Sequence, residues 1–248
     1  MRHALAALAA TAAIALAAPP AAAAFDDDQR AAIRDEIRAY LLENPEILRE
    51  MIGLLEAQEV SAQAEADRAA IAAHADRIFD DGFSFVGGNP DGDVTVVEFI
   101  DYQCGFCRRA HPEVQALVVG DGDLRLVTKE MPILGPASEL AARAAVATLI
   151  AEGPEAYARL NNALLTIEGP VTDTSVDAAL RGAGLDAEAI RAGMDDDEVT
   201  RRLAETRALA QSLGISGTPT FVIGDRLLRG YLPLAEMQAL VEAARQDG

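Results

Sequence analysis

The sequence predicts an α/β fold with a helical insertion, preceded by an N-terminal α-helical segment. Three observations carry that expectation. An apolar, β-branched run over residues 94–100 feeds through Asp101, Tyr102 and Gln103 into Cys104-Gly105-Phe106-Cys107, after which a helical pattern starts. A second apolar run returns far downstream as Gly217-Thr218-Pro219-Thr220-Phe221-Val222-Ile223-Gly224. Between them, residues 136–213 carry helical periodicity broken by turn residues, the mark of an insertion between strands.

The two thiols at a helix start define the chemistry. A cysteine there sits beside unsatisfied backbone N–H groups and the positive end of the helix dipole, so its thiolate is stabilised. Cys104 is therefore the expected nucleophile, and Cys107, one turn later on the same face, is placed to resolve a mixed disulfide by attacking back. Two simpler readings compete. A structural disulfide closing so short a loop would remove little chain entropy. A zinc site with His111 as third ligand would need a fourth, and no second C-x-x-C exists.

Residues 1–24 read as a cleaved export signal: Arg2 near the start, an apolar Ala/Leu/Ile core over 4–18, and an A-x-A pattern ending at Ala24. An uncleaved membrane anchor is the alternative. Export places the protein in an oxidising compartment, expected to be the periplasm, where small proteins often use many disulfides. This chain has two cysteines in all, so the fold must stand on its apolar core and both thiols are left for function. The formal net charge is −19, and losing Arg2 makes it −20 (20 basic residues against 40 acidic). Such a surface repels nucleic acid and anionic lipid and excludes them as partners.

From residue 26 to about 79 the pattern is helical. Ile33, Ile37, Tyr40 and Leu41 recur at helix spacing, and the first helix should end near Glu43. Asn44-Pro45-Glu46 reads as a new start, with Asn44 as N-cap and Pro45 at the first position. Ile47, Leu48, Met51, Ile52, Leu54 and Leu55 form the next apolar stripe, and beyond Val60 the composition suits a solvated connecting helix. Residues 25–80 are too few to bury these stripes alone. Assembly of several copies of the chain is the expected solution; packing on the following domain is the alternative.

Residues 81–248 form the second expected domain. A short strand at 84–86 precedes the central strand, in which Glu98 shares a face with Val94, Val96 and Ile100. A buried carboxylate there has its proton affinity raised and suits a proton acceptor for Cys107; an edge position in water is the alternative. Pro112 should kink the helix that Cys104 begins. His111 reads as structural or exposed rather than as a ligand or base. A second core strand over 124–128 ends in Lys129. Helices are expected at 141–151, 154–166, 174–183, 186–193 and 196–213, capping the site, followed by a strand at 226–230 and a helix at 233–245. A cis Pro219 would leave the Thr218 backbone free to dock an extended peptide beside the thiols; a trans turn proline is the alternative.

Strand, C-x-x-C helix, proline in that helix, strand, helical insertion, Thr-Pro strand, strand and helix together resemble the thioredoxin fold of the DsbA-like thiol:disulfide oxidoreductases. The resemblance covers about residues 83–245. It implies Cys104 as nucleophile, Cys107 as resolving thiol, Pro219 as the cis-proline, Glu98 as the buried acid and Lys129 as the lysine that pairs with it. It also implies no cofactor, exported cysteine-containing proteins as substrates, and a membrane redox partner that resets the thiol pair. Thr218, Pro219 and Phe106 would contact substrate. Tyr-Leu-Leu-Glu-Asn-Pro-Glu-Ile-Leu in the first segment is similar to the N-terminal domain of ScsC-like proteins, which are associated with copper stress and in some members trimerise. Trimeric members of that group behave as isomerases and monomeric DsbA-like proteins as oxidases, so isomerase or reductase activity is slightly favoured.

Two other functions fit parts of the sequence: a Cu(I)-binding copper-stress protein using both thiolates, and a holdase using the apolar stripe. The Gly-Phe dipeptide departs from the Pro-His of the strongly oxidising members, because Phe106 offers no polar hydrogen to the Cys104 thiolate. A less depressed Cys104 pKa and a less oxidising couple are expected. Phe106→His should raise the reduction potential measured by equilibration with glutathione, and an unchanged potential would contradict the dipeptide argument.

Overall fold

The computed structural model describes residues 25–247, so the expected export signal at 1–24 lies outside the described residues. The chain divides into two compact units, one ending at Ala57 and one beginning at Gln58.

The first unit contains α1 (Asp27–Glu43) and the start of α2 (Glu46–Ala73). Asp26 caps α1 through a capping box: its carboxylate accepts from the Gln29 amide at 2.8 Å, and the Gln29 side chain accepts from the Asp26 amide at 3.1 Å. Asn44 departs from expectation. It ends α1, its side-chain amide donating to the Tyr40 carbonyl at 2.8 Å, so its polar group is engaged backward and α2 starts at Glu46. No residue of α1 is buried, and Ile37, Leu42, Met51, Ile52, Leu54 and Leu55 are all exposed.

The second unit is built on a five-stranded sheet of β1 (Phe85–Gly88), β2 (Val94–Ile100), β3 (Leu124–Glu130), β4 (Thr220–Ile223) and β5 (Arg226–Arg229), in the order β1-β3-β2-β4-β5. β2 runs parallel to β3 and antiparallel to β4, while both edge strands pair antiparallel. Six of the seven residues of β2 are buried, because helices cover both faces. On one face Val97, Phe99, Val127 and Val222 pack with Leu209 and Leu213 of α8 (Asp197–Ser212), Ile78 of α3 (Ala75–Phe79) and Ile71 of α2. On the other, Val94, Val96, Leu126, Phe221 and Ile223 meet Ala110, Val114 and Leu117 of α4 (Gly105–Asp121) and Met237 and Val241 of α9 (Leu234–Asp247).

The insertion consists of α5 (Pro136–Leu165), α6 (Asp173–Gly182), α7 (Ala187–Gly193) and α8, and its alanine-rich core reaches Ile100, Tyr102 and Cys107. The break expected between the helices at 141–151 and 154–166 is present as a kink inside α5, with Gly153 at φ +82° directly before Pro154. Gly88 serves a different need: a Cβ there would lie 2.3 Å from the Leu124 carbonyl oxygen, so only glycine lets β1 approach β3.

The expected solvated connecting helix beyond Val60 is only partly so. Asp67 is buried, and its carboxylate accepts from both Arg229 guanidinium NH groups at 2.7 and 2.9 Å; Ile71, one turn later, enters the core. α2 and α3 thus supply side chains that the sheet needs. Ile78 is fully buried among Val97, Phe99 and Leu209, and Ile78→Ala should cost about 3 kcal/mol in equilibrium urea unfolding through the cavity it leaves.

Candidate active site

The end of β2 and the start of α4 set the two cysteines. Cys104 is the N-cap residue of α4 with extended backbone angles, and its side chain makes no capping bond, so the sulfur stays available. Both cysteines are free; Cys104 is 7% exposed and Cys107 fully buried. From the far side of the sheet edge, Thr218 precedes β4 and the Thr218-Pro219 bond is cis. In its protonated form Cys104 Sγ donates to the Thr218 carbonyl oxygen, 3.1 Å away across 114 residues of sequence.

The two thiols are driven apart in acidity. Cys104 is lowered to about 5, chiefly by the hydrogen bond from the Cys107 thiol, with the Thr218 side chain and the Cys107 and Phe106 amides adding to it against the cost of burial. The same bond to Cys104 pushes Cys107 far up, and burial and the Glu98 charge push it further. One sulfur is thus a thiolate at neutral pH and the other holds its proton. Phe106 contributes its amide rather than its ring, which stands 60% exposed beside the thiol.

Asp101 braces the turn before Cys104. One of its oxygens accepts from the Gln103 amide at 2.8 Å, and the other accepts from the amides of Ile133 at 2.8 Å and Leu134 at 3.0 Å. Arg108 donates to the carbonyls of Tyr102 at 2.9 Å and Ile167 at 3.0 Å, tying the insertion to the cysteine helix. His111 is buried and lies 3.0 Å, ring Nε2 to side-chain oxygen, from Asn162, which is a structural position. Pro112 falls inside α4 as expected.

Glu98 is buried, as its place in an apolar run suggested, and is pushed up to about 8 by burial and by the charge of Glu130. It lines a cavity of about 170 Å³ together with His111, Gln115, Thr128, Asn161 and Asn162. The pairing of Glu98 with Lys129 is corrected by the register. Glu98 stands opposite Thr128, so Lys129, beside Phe99, points to the other face of the sheet. There its ammonium, fully buried, donates to the Asp81 carboxylate at 2.5 Å and to the Arg77 carbonyl at 2.9 Å. Burial pulls Lys129 down against the charge of Asp81, while Lys129 holds Asp81 below the usual carboxylate range despite its own burial. Lys129 is a structural cation of the α3 side and does not reach the thiols' side of the sheet.

Sequence reasoning did not single out Glu130 or the two tyrosines that bind it. Glu130 Oε1 accepts from Tyr102 at 2.7 Å and from Tyr157 at 2.5 Å, and Asn161 donates to the Tyr102 oxygen at 3.0 Å. The only signal available was an acidic residue directly after an apolar strand. Among the described residues, no cluster of three or more His, Cys, Asp or Glu side chains is arranged to hold a metal ion.

The DSBA-like thioredoxin domain matches residues 95–242, which spans both cysteines, the insertion and the Thr-Pro strand. The chain belongs to this family. The N-terminal domain of the copper resistance protein ScsC matches residues 29–62. Among solved structures, a thioredoxin-like oxidoreductase from Silicibacter pomeroyi DSS-3 is 46% identical, with a TM-score of 0.65, covering 69% of this chain and 97% of its own. Proteus mirabilis ScsC in a transitional conformation is 25% identical with a TM-score of 0.67, covering 90% of this chain and 100% of its own. A Na(+)/H(+) antiporter NhaA 1 of Salinispora arenicola is 29% identical over 161 residues, 64% of this chain. The chain spans only 24% of that antiporter's length. This DSBA-like chain is therefore a thiol:disulfide oxidoreductase by family, with the cysteine pair in place.

The acidity split can be read directly. The rate of Cys104 carbamidomethylation by iodoacetamide in the reduced protein should be half-maximal near pH 5 and fall about tenfold per unit below it, with Cys107 unmodified; a midpoint near 9 would contradict the geometry.

Proposed function

We propose that this protein is a periplasmic thiol:disulfide oxidoreductase working as an oligomer on exported proteins, with isomerase or reductase activity favoured over oxidase. The observation that carries the chemistry is the contact of Cys104 Sγ with the Thr218 carbonyl at 3.1 Å, which puts the low-pKa thiol beside a backbone edge that can dock an extended substrate. Cys104 attacks a substrate disulfide, forming a mixed disulfide and releasing one substrate thiolate. Cys107 then gives its proton to Glu98 and attacks the Cys104 sulfur; the Cys104-Cys107 bond closes and the second substrate thiolate leaves with both electrons. Phe106, Thr218 and Pro219 contact the substrate in this reading, and exposed Phe106, Ile133 and Leu134 offer it apolar surface.

Residues 1–24 act as a cleaved signal, and among the described residues no helix is long and apolar enough to cross a membrane. A membrane redox partner resets the thiol pair. The oligomer rests on the exposed stripe of Ile37, Met51, Ile52, Leu54 and Leu55, which several copies of the chain would bury together. The match of residues 29–62 to the ScsC N-terminal domain supports the same reading. That match also keeps open a role in Cu(I) binding by the two thiolates, which would show as stoichiometric Cu(I) uptake without turnover of disulfide substrates.

The deciding measurement is reactivation of scrambled, multi-disulfide ribonuclease by the mature protein and by a form lacking residues 25–57. Truncation stops there because Asp67, Ile71 and Ile78 belong to the second unit. Reactivation by the full form, lost on truncation, is expected. No reactivation by either form, with rapid oxidation of reduced ribonuclease, would make the protein an oxidase.

A further inference from the structure

The cysteine pair has one carboxylate too many beneath it. Glu98 and Glu130 lie on the same face of the sheet, diagonal to one another across β2 and β3, since Glu98 is opposite Thr128 and Ile100 is opposite Glu130. Where a lysine was expected to neutralise Glu98, the register puts a second acid. Glu130 is 6% exposed and anchored by two phenols on Oε1, while its Oε2 is buried with no partner among the described residues. Its two donors favour the charge while burial opposes it, pushing Glu130 up to about 8, and among the described residues no cation is paired with it. A buried acid with one oxygen unpartnered is costly to keep unless it has a use.

The surroundings leave little else to set these charges. Glu130 is faced by Tyr102 from the turn after β2, by Tyr157 and Asn161 from α5, by Glu98 from β2 and by Asp101. Arg202 of α8 lines the same small cavity of about 20 Å³ as Glu130, but its guanidinium is engaged by Glu198 and by the Phe83 carbonyl. Glu98 is faced by Cys107 and His111 from α4 and by Glu130 from β3. Thr128, opposite Glu98, lines both cavities and lies between the two acids.

We propose that Glu130 is a positioning residue for Cys107 acting through Glu98: its carboxylate, fixed by two phenols on the same sheet face, opposes ionisation of Glu98 and so delays removal of the Cys107 proton. The two phenols favour the charge on Glu130 against its burial, so the two acids ionise in the same range and the charge of Glu130 then opposes that of Glu98 in a dry setting. A delayed Cys107 leaves the Cys104 mixed disulfide long-lived, so that a second thiol of the substrate can attack it first. That is what rearrangement of disulfides needs, and this inference rests on the proposed redox role of the Cys104-Cys107 pair.

The test uses the full-length mature protein, reduced, with a symmetrical nitrobenzoate disulfide. Attack by the Cys104 thiolate releases one coloured thiolate and leaves the other half on Cys104. Loss of the Cys107 proton to Glu98 and attack on the Cys104 sulfur release the second and close the Cys104-Cys107 bond, two electrons passing to the reagent. The rate of the second release, followed against pH, should have a midpoint near pH 8 in the wild type. In Glu130→Gln the midpoint should move down by about one pH unit, with a faster second release below it. A Glu130→Gln profile with an unmoved midpoint, whatever its effect on melting, would overturn the proposal. Absence of any second release in the wild type would instead defeat the redox pair itself.

A measurement on the wild type stands should Glu130→Gln fail to fold. The infrared carbonyl band of protonated carboxylic acids, monitored between pH 5 and 10, should disappear in two separate steps, and Glu98→Gln should remove the upper one. Loss of the whole band in the ordinary carboxylate range would overturn the coupling.

Discussion

The site depends on the antiparallel pairing of β2 with β4. Phe99 is opposite Thr220 and Glu98 opposite Phe221, and this register alone brings the Cys104 turn and the Thr218 carbonyl to the same end of the sheet. The two halves of the thiol environment come from positions 114 residues apart, so the environment is complete only with β4 paired in the sheet. Helix packing on both faces then makes that register costly to change, because a slip of one residue would turn Val96, Glu98 and Phe221 to the opposite layer.

The same double-sided burial explains the unusual load of ionisable groups. A strand covered on both faces has no solvent side, so each polar side chain must find a partner or change its protonation. Lys129 finds Asp81 on one face, and Glu130 finds two tyrosines on the other. Glu98 lines a cavity instead, and its burial and the charge of Glu130 favour its neutral form. The acidity difference between Cys104 and Cys107 has a shorter origin, a single hydrogen bond shared by the two sulfurs that helps one thiolate and hinders the other.

Much of this was legible in the sequence because it rests on local signals. The C-x-x-C after a β-branched run marked the two thiols at a helix start, Gly153-Pro154 marked the break in α5, and Glu98 stood out as an acid in an apolar run. What escaped were properties set by register and by distant partners. Lys129 is one residue past Thr128, and that single step decides which face it occupies. Glu130 acquires its tyrosines from 28 and 27 residues away. Asn44 carried a signal that fits either end of a helix, and only the backward bond to Tyr40 shows which end it serves.

Asp101 carries one more implication. Its carboxylate, 1% exposed, accepts one amide from the turn that presents Cys104 and two from the segment bearing Ile133 and Leu134. Those two exposed apolar side chains are tied to the turn before Cys104 by three bonds to one buried carboxylate. A displacement of the segment bearing Ile133 and Leu134 is therefore passed to the turn that aims the Cys104 sulfur, and the two move as one piece.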